Sequence, residues 1–172
     1  LQELSTITDP SMRHNQCFLY VDKNTDRQII FIFIYNVNQN KIYTIGRDLV
    51  STGNKKRVGY WETPSGILEN SLKFIGYRAL GTKNDKGWMG LGIKGSRVWD
   101  FGWQITKKKA RSKIKVRKIR LLLHATDPVD GEKRLGKANS MGCIRISAKL
   151  NNYLDYFGII DKEYEARSKQ KN

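Results

Sequence analysis

His124 and Cys143 are the residues of this chain best equipped for covalent chemistry. His124 opens the triplet His124-Ala125-Thr126, and nineteen positions later Cys143 stands inside Ser140-Met141-Gly142-Cys143-Ile144-Arg145. Thiolate is the reactive form of cysteine; it needs a base to take its proton and positive charge nearby to hold it ionised. His124 offers the base and Arg145 the charge. Gly142 removes a side chain next to the nucleophile, so the N–H groups of Gly142 and Cys143 are the candidate donors to a developing oxyanion.

The chain holds two cysteines and two histidines, which narrows the options. If Cys143 is catalytic, Cys17 has no partner for a disulfide, and it reads as a small buried hydrophobe at the start of a strand. His14 lies in a polar stretch near the terminus, so His124 is the candidate base. His14-x-x-Cys17 with His124 and Cys143 would supply four zinc ligands, but the second close pair usual for structural zinc is missing. No metal and no cofactor are expected.

Around the nucleophile the chain resembles the YkuD-type L,D-transpeptidases of the bacterial cell wall, whose motif runs His-Gly-Thr, a Gly-containing loop, then Ser-x-Gly-Cys-x-Arg. Arg134-Leu135-Gly136-Lys137 resembles that loop, and Ser51-Thr52-Gly53 and Thr63-Pro64-Ser65-Gly66 resemble two upstream elements in the expected order. The resemblance spans roughly residues 17–158, with Ala125 where the family usually has Gly. It implies a mainly β, sandwich-like YkuD fold with one or two short helices, one of them following the cysteine. It further implies that Cys143 is acylated by a peptidoglycan stem peptide at the L-centre of diaminopimelate, D-alanine leaving, and that an amine of a second stem resolves the thioester into a 3-3 cross-link. A main-chain carbonyl near Ala125 would orient the His. Arg145, Ser140, Thr126 and Trp88 are the implied substrate contacts, Arg145 for a carboxylate; Ser140 is also suited to holding its loop through backbone. Carbapenem-type β-lactams are implied inhibitors, and an exported enzyme of the periplasm or cell wall is the implied setting.

Composition fits one globular domain: 172 residues, 39% apolar, can bury a single sizeable core. The 32 basic against 16 acidic residues give a net charge of +16, which favours nucleic acid, an acidic membrane surface or an anionic cell-wall polymer as partner. No stretch is long and apolar enough to span a membrane, the longest being Ile29 to Tyr35. The chain starts without Met or a signal sequence, as expected of a mature or trimmed form.

The elements that must position these residues are mostly strands. Residues 1–15 read as an irregular lead-in, 16–160 as one catalytic domain and 161–172 as a frayed polar tail. Cys17 to Val21, the turn-rich Asp22 to Asp26, and the β-branched and aromatic run Gln28 to Val37 form a hairpin signature, followed by a strand at Lys41 to Ile45. Gly81 to Trp103 combines glycines with Trp88, Trp99 and Trp103 and suits a substrate-covering lid, with Trp99 and Trp103 leaning to the core. Lys113 to Arg117 alternates charge with branched apolar residues, giving a strand with one basic face that Leu121-Leu122-Leu123 carries into the core. That strand delivers His124 at its end. Ser147 reads as the N-cap of a helix with Leu150, Tyr153, Leu154 and Phe157 as its stripe and Gly158 as its stop.

Two other functions are compatible with this pattern. Water in place of the amine would make an L,D-carboxypeptidase or endopeptidase. A non-enzymatic, basic β-rich polyanion-binding module would leave Cys143 as a small packed residue; nucleic acid is the less expected partner, because the Trp and Lys clusters are adjacent in sequence, not interleaved.

Overall fold

The computed structural model describes residues 15–24, 26–110 and 113–162. Two sheets account for most of them. The first is antiparallel in the order β1 (Gln16–Asn24), β2 (Arg27–Asn36), β3 (Lys41–Leu49). Its turns follow from side chains that substitute for backbone acceptors: Asp22 Oδ1 accepts from the Asn24 N–H, Asn36 Oδ1 from the Gln39 N–H, and Asn40 takes the left-handed conformation at φ 48°. The expected hairpin and third strand are there, the latter running four residues further than the pattern suggested.

The second sheet is mixed, in the order β4 (Tyr77–Arg78), β5 (Arg97–Ala110), β6 (Lys113–Ala125), β7 (Ile144–Ile146). β5 and β6 form a long antiparallel hairpin, and β7 adds to β6 in parallel. The sequence had assigned Gly81 to Trp103 to one loop; β5 in fact takes over at Arg97. A bulge between Asp100 and Trp103 lets the ladder pass Gly102, whose φ of 72° and contact with the Phe74 ring leave no room for a side chain.

Both sheets feed one core. Ile30 and Ile32 of β2 meet Trp99, Leu121, Leu123, Ile144 and Ile146 of the mixed sheet. Helix α1 (Ala148–Tyr156) closes it with Leu150 and Leu154, capped by Ser147, whose Oγ accepts from the Leu150 N–H at 3.0 Å. Gly158, at φ 59°, follows the helix. Only half of the expected stripe is buried. Tyr153 and Phe157 are exposed and pack on each other, ring centroids 4.8 Å apart, because the helix meets the sheet on the Leu150–Leu154 line alone.

Trp103 also departs from expectation. Trp99 is fully buried, but Trp103 is 60% exposed, since the bulge turns it onto the outer face of the hairpin. Asp161, expected to begin a frayed tail, is buried: it accepts from Arg97 Nη2 at 3.1 Å, Trp99 Nε1 at 2.9 Å and Asn70 Nδ2 at 3.0 Å. Residues 1–14 and 163–172, with most of the expected lead-in and tail, lie outside the described residues.

Candidate active site

The site forms where β6 and β7 run side by side. Their parallel register pairs Leu123 with Ile144, His124 with Arg145 and Ala125 with Ile146. Paired residues project from the same face of a sheet, so the imidazole and the guanidinium emerge together. Cys143 immediately precedes β7 and falls beside Leu122, about 7 Å down the strand from His124 at the usual rise per residue. Its thiol donates to the Arg120 carbonyl at 3.7 Å, and the main chain of Leu122 also reaches the sulfur.

The two upstream motifs frame the cysteine loop. Ser51 and Arg145 exchange backbone hydrogen bonds, each at 2.9 Å, and the Ser140 N–H donates to Thr52 O. Gln28 Oε1 accepts from both the N–H and the hydroxyl of Thr52, at 2.8 Å each, which ties the segment to β2. Thr63 Oγ1 accepts from the Gly53 N–H at 2.8 Å and donates to Gly142 O at 2.7 Å. A Cβ at Gly53 would collide with the Trp61 carbonyl, and one at Gly142, where φ is 145°, would lie 2.7 Å from the Ile119 side chain. Glycine is therefore required by space at position 53, where the obstacle is backbone, and by its backbone angle at position 142, where the Ile119 side chain could give way.

Two of the nominated contacts, Ser140 and Thr126, are enclosed. Ser140 is fully buried; its hydroxyl donates to Cys143 O and accepts from the Gly142 N–H at 3.0 Å, so it shapes the loop and is out of a ligand's reach. The same bond commits the Gly142 N–H inside the loop, which removes it as an oxyanion donor in this conformation. Thr126 is buried beside Gly131, and its N–H donates to Ile146 O at 3.1 Å. Trp88 is half-buried with the Arg134 guanidinium 3.7 Å above its ring. The glycine-rich segment is further tied to the site by the Met89 N–H, which donates to Asp127 Oδ2 at 3.0 Å.

The charges follow from burial. Desolvation pushes the buried His124 imidazole down to about 4, opposed by its contact with Ala125 O and helped by the Arg145 charge. Its Nδ1 lies 2.6 Å from Ala125 O. A carbonyl can only accept, so Nδ1 carries the proton and Nε2 keeps the lone pair. Burial likewise raises the Cys143 thiol above its ordinary value, against the lowering effects of the Leu122 main chain and Arg145. Burial thus disfavours charge on both groups, and the positive charge that Arg145 lends the thiolate works against it.

Arg145 is the unusual member. Desolvation lowers its pKa, and the groups that bear on it are Cys143, Tyr60 and Arg134, none of them a carboxylate. Nε is buried without a hydrogen-bond partner among the described residues, and Nη1 reaches only Asn139 O at 3.5 Å. Enclosed guanidinium nitrogens in a structural role are ordinarily hydrogen-bonded or ion-paired. This one has no ion pair among the described residues.

Sequence reading missed a second group beside the thiol. Asp100 is buried and paired with Arg120, Nη2 to Oδ2 2.6 Å, and accepts from the Gly102 N–H. Tyr77, whose phenol is raised by burial first and then by the Asp100 charge, against the lowering effect of Arg120, completes it. With Phe74, Gly76 and Leu122 these residues line a cavity of about 470 Å³ that reaches the strand residues touching the sulfur. A second cavity of about 500 Å³, between residues 77–84 and 90–92, shares Tyr77 as a wall.

Cys17 is half-buried in β1, and no disulfide joins it to Cys143. His14, the fourth member of the alternative zinc set, lies outside the described residues, among which no three His, Cys, Asp or Glu side chains converge on a metal site. No protein-family model matches the chain, and no curated protein matches it significantly.

Proposed function

We propose that this chain is a cysteine acyltransferase acting on carboxylate-bearing peptides of the cell wall, an L,D-transpeptidase. The observation that carries the proposal is Arg145: a half-buried guanidinium with no ion pair among the described residues, its Nε enclosed without a partner, two residues after Cys143 and level with a histidine whose Nε2 is left as the basic nitrogen. Such a cation is costly unless a ligand carboxylate neutralises it, and guanidinium matches carboxylate in geometry. As the peptide carbonyl approaches, Cys143 Sγ attacks its carbon while His124 Nε2 takes the thiol proton. The Cys143 N–H is the donor assigned to the oxyanion. Collapse breaks the C–N bond, the imidazolium returns its proton to the leaving amine, and a thioester remains.

The ligand's anionic carboxylate supplies the counter-charge that makes a transient imidazolium tolerable, so arming of the thiol is coupled to binding. Two cavities that meet at Tyr77 provide separate room for an acyl donor and an amine acceptor, which favours transfer over hydrolysis. On this reading the protein works outside the cytoplasm, where its polymer lies.

Incubation with tetrapeptide-bearing peptidoglycan fragments, followed by mass analysis, tests the assignment. Dimers joined between two diaminopimelate residues are the expected product. Tripeptides without dimers at any acceptor concentration would make it a carboxypeptidase, conversion of preformed dimers to monomers an endopeptidase. No product, together with no carbapenem adduct at Cys143, would end the enzymatic reading.

A further inference from the structure

The outer face of the β5–β6 hairpin carries its own chemistry beyond the cleft. The register places Trp103 beside Arg120, Ile105 beside Lys118 and Lys107 beside Val116, so these six side chains share one face, with Ile114 next along it. Large apolar groups stand in water there: Trp103 is 60% exposed, Ile105 59%, Ile114 69% and Val116 60%. The opposite face is the one that docks, Thr106 Oγ1 donating to Glu62 O at 2.6 Å and Lys108 Nζ to Tyr60 O at 3.1 Å. In sequence the Trp and Lys clusters looked merely adjacent; strand pairing interleaves them. Nine of the fourteen residues 107–120 are Lys or Arg and none is acidic.

Charge alone would fit any polyanion. The branched aliphatics discriminate, because Ile105, Ile114 and Val116 have no stacking or hydrogen-bonding use on a nucleic acid or a glycan, and among the described residues the hairpin itself contributes one aromatic ring, Trp103, to this face. A surface that offers anionic groups over an apolar phase satisfies both kinds of side chain, with lysines at the phosphate level and Trp at the boundary. We infer that this face of the hairpin docks on an anionic lipid bilayer. The strand face that binds lipid continues, through Arg120 and Leu122, to His124. Docking there would therefore hold the candidate site close to the membrane surface without any spanning segment.

Sedimentation with vesicles of pure phosphatidylcholine and of phosphatidylcholine with one third phosphatidylglycerol tests this, alongside soluble polyphosphate as an anion without an apolar phase. Wild-type protein should partition onto the anionic vesicles and not the neutral ones. Replacing Lys107 and Lys118 with Gln should weaken that about fivefold per lysine. The double change Ile114→Ser and Val116→Ser keeps the charge and should reduce vesicle binding at least tenfold while leaving polyphosphate binding unchanged; an unchanged circular-dichroism melt establishes that the variant is folded. Tryptophan emission should shift to the blue with anionic vesicles, and Trp103→Phe should remove the shift. Absent vesicle binding, or vesicle and polyphosphate binding that are equally indifferent to the Ser variant, would overturn the inference, the second outcome pointing to a soluble polyanion instead. None of these residues belongs to the acyl-transfer machinery, so turnover on soluble fragments should be unaffected.

Discussion

The two halves of β6 share one strand conformation and have opposite surroundings. From Leu121 to Ala125 the core-facing side chains are packed and the outward-facing His124 is enclosed as well; from Lys113 to Lys118 every side chain is exposed. The half near the site has β7 on its edge, α1 behind it and the cysteine loop across its end, whereas the far half has only β5 beside it and residues 57–62 under one face. Alternation of residue types thus specifies a strand, while coverage by other elements decides whether its apolar face is a core or a surface for a partner.

The largest expected effect lies at the enclosed end. Cys143→Ala should lower turnover by three or more orders of magnitude and abolish labelling by a thiol probe at the site, whereas Cys17→Ala should leave turnover intact; equal loss in the two variants, measured by kinetics and peptide mapping, would break the assignment.

Stability should divide the strand in the same way. Leu123→Ala, which empties part of the core, should cost about 2–5 kcal/mol, and Val116→Ala, on the open ribbon, less than about 0.5 kcal/mol, both read from urea unfolding. Similar costs at the two positions would mean that something covers the far half in solution.

Proton linkage gives a third contrast. The His124 imidazole is held near 4 in the folded protein against 6.5 when free. Between those values the unfolded chain binds the extra proton, so stability should fall as pH drops from 6.5 towards 4, by roughly 3 kcal/mol in all, and level off below. His124→Gln should flatten that slope, while Lys118→Gln on the ribbon should not.

The smallest change in stability is expected at Arg145. Arg145→Met removes a half-buried charge that has no ion pair among the described residues, so its melting temperature should equal or exceed wild type, while kcat/KM on carboxylate-bearing peptides falls on the order of 100-fold. A marked loss of stability would mean that the guanidinium is structural.

Much of this contrast was open to sequence reading, and the part that was not has a common cause. The β1–β2 hairpin, the strand ending in His124 and the Ser147-capped helix are written in local signals, such as turn residues, alternation and caps. The cysteine loop was legible for the same reason, since its glycines and serine act on neighbours. What escaped depends on partners far apart in the chain: Asp100 with Arg120, Tyr77 beside the thiol, and Asp127 receiving Met89. Trp103 was misplaced because a two-residue bulge changes which face a side chain joins, and glycine-rich sequence gave no sign that β5 had begun.

The Asp161 contacts set an order of events for a chain being synthesised. Arg97 and Trp99 wait 64 and 62 residues for this carboxylate, and without it a guanidinium would be buried unneutralised at the root of β5, a cost of about 3–5 kcal/mol. The strand pair that presents the histidine therefore gains its full stability only after residue 161 has left the ribosome. Because β7 and Cys143 are made before residue 161, the strand that carries His124 and the loop that carries the thiol reach their final stability together, late in folding.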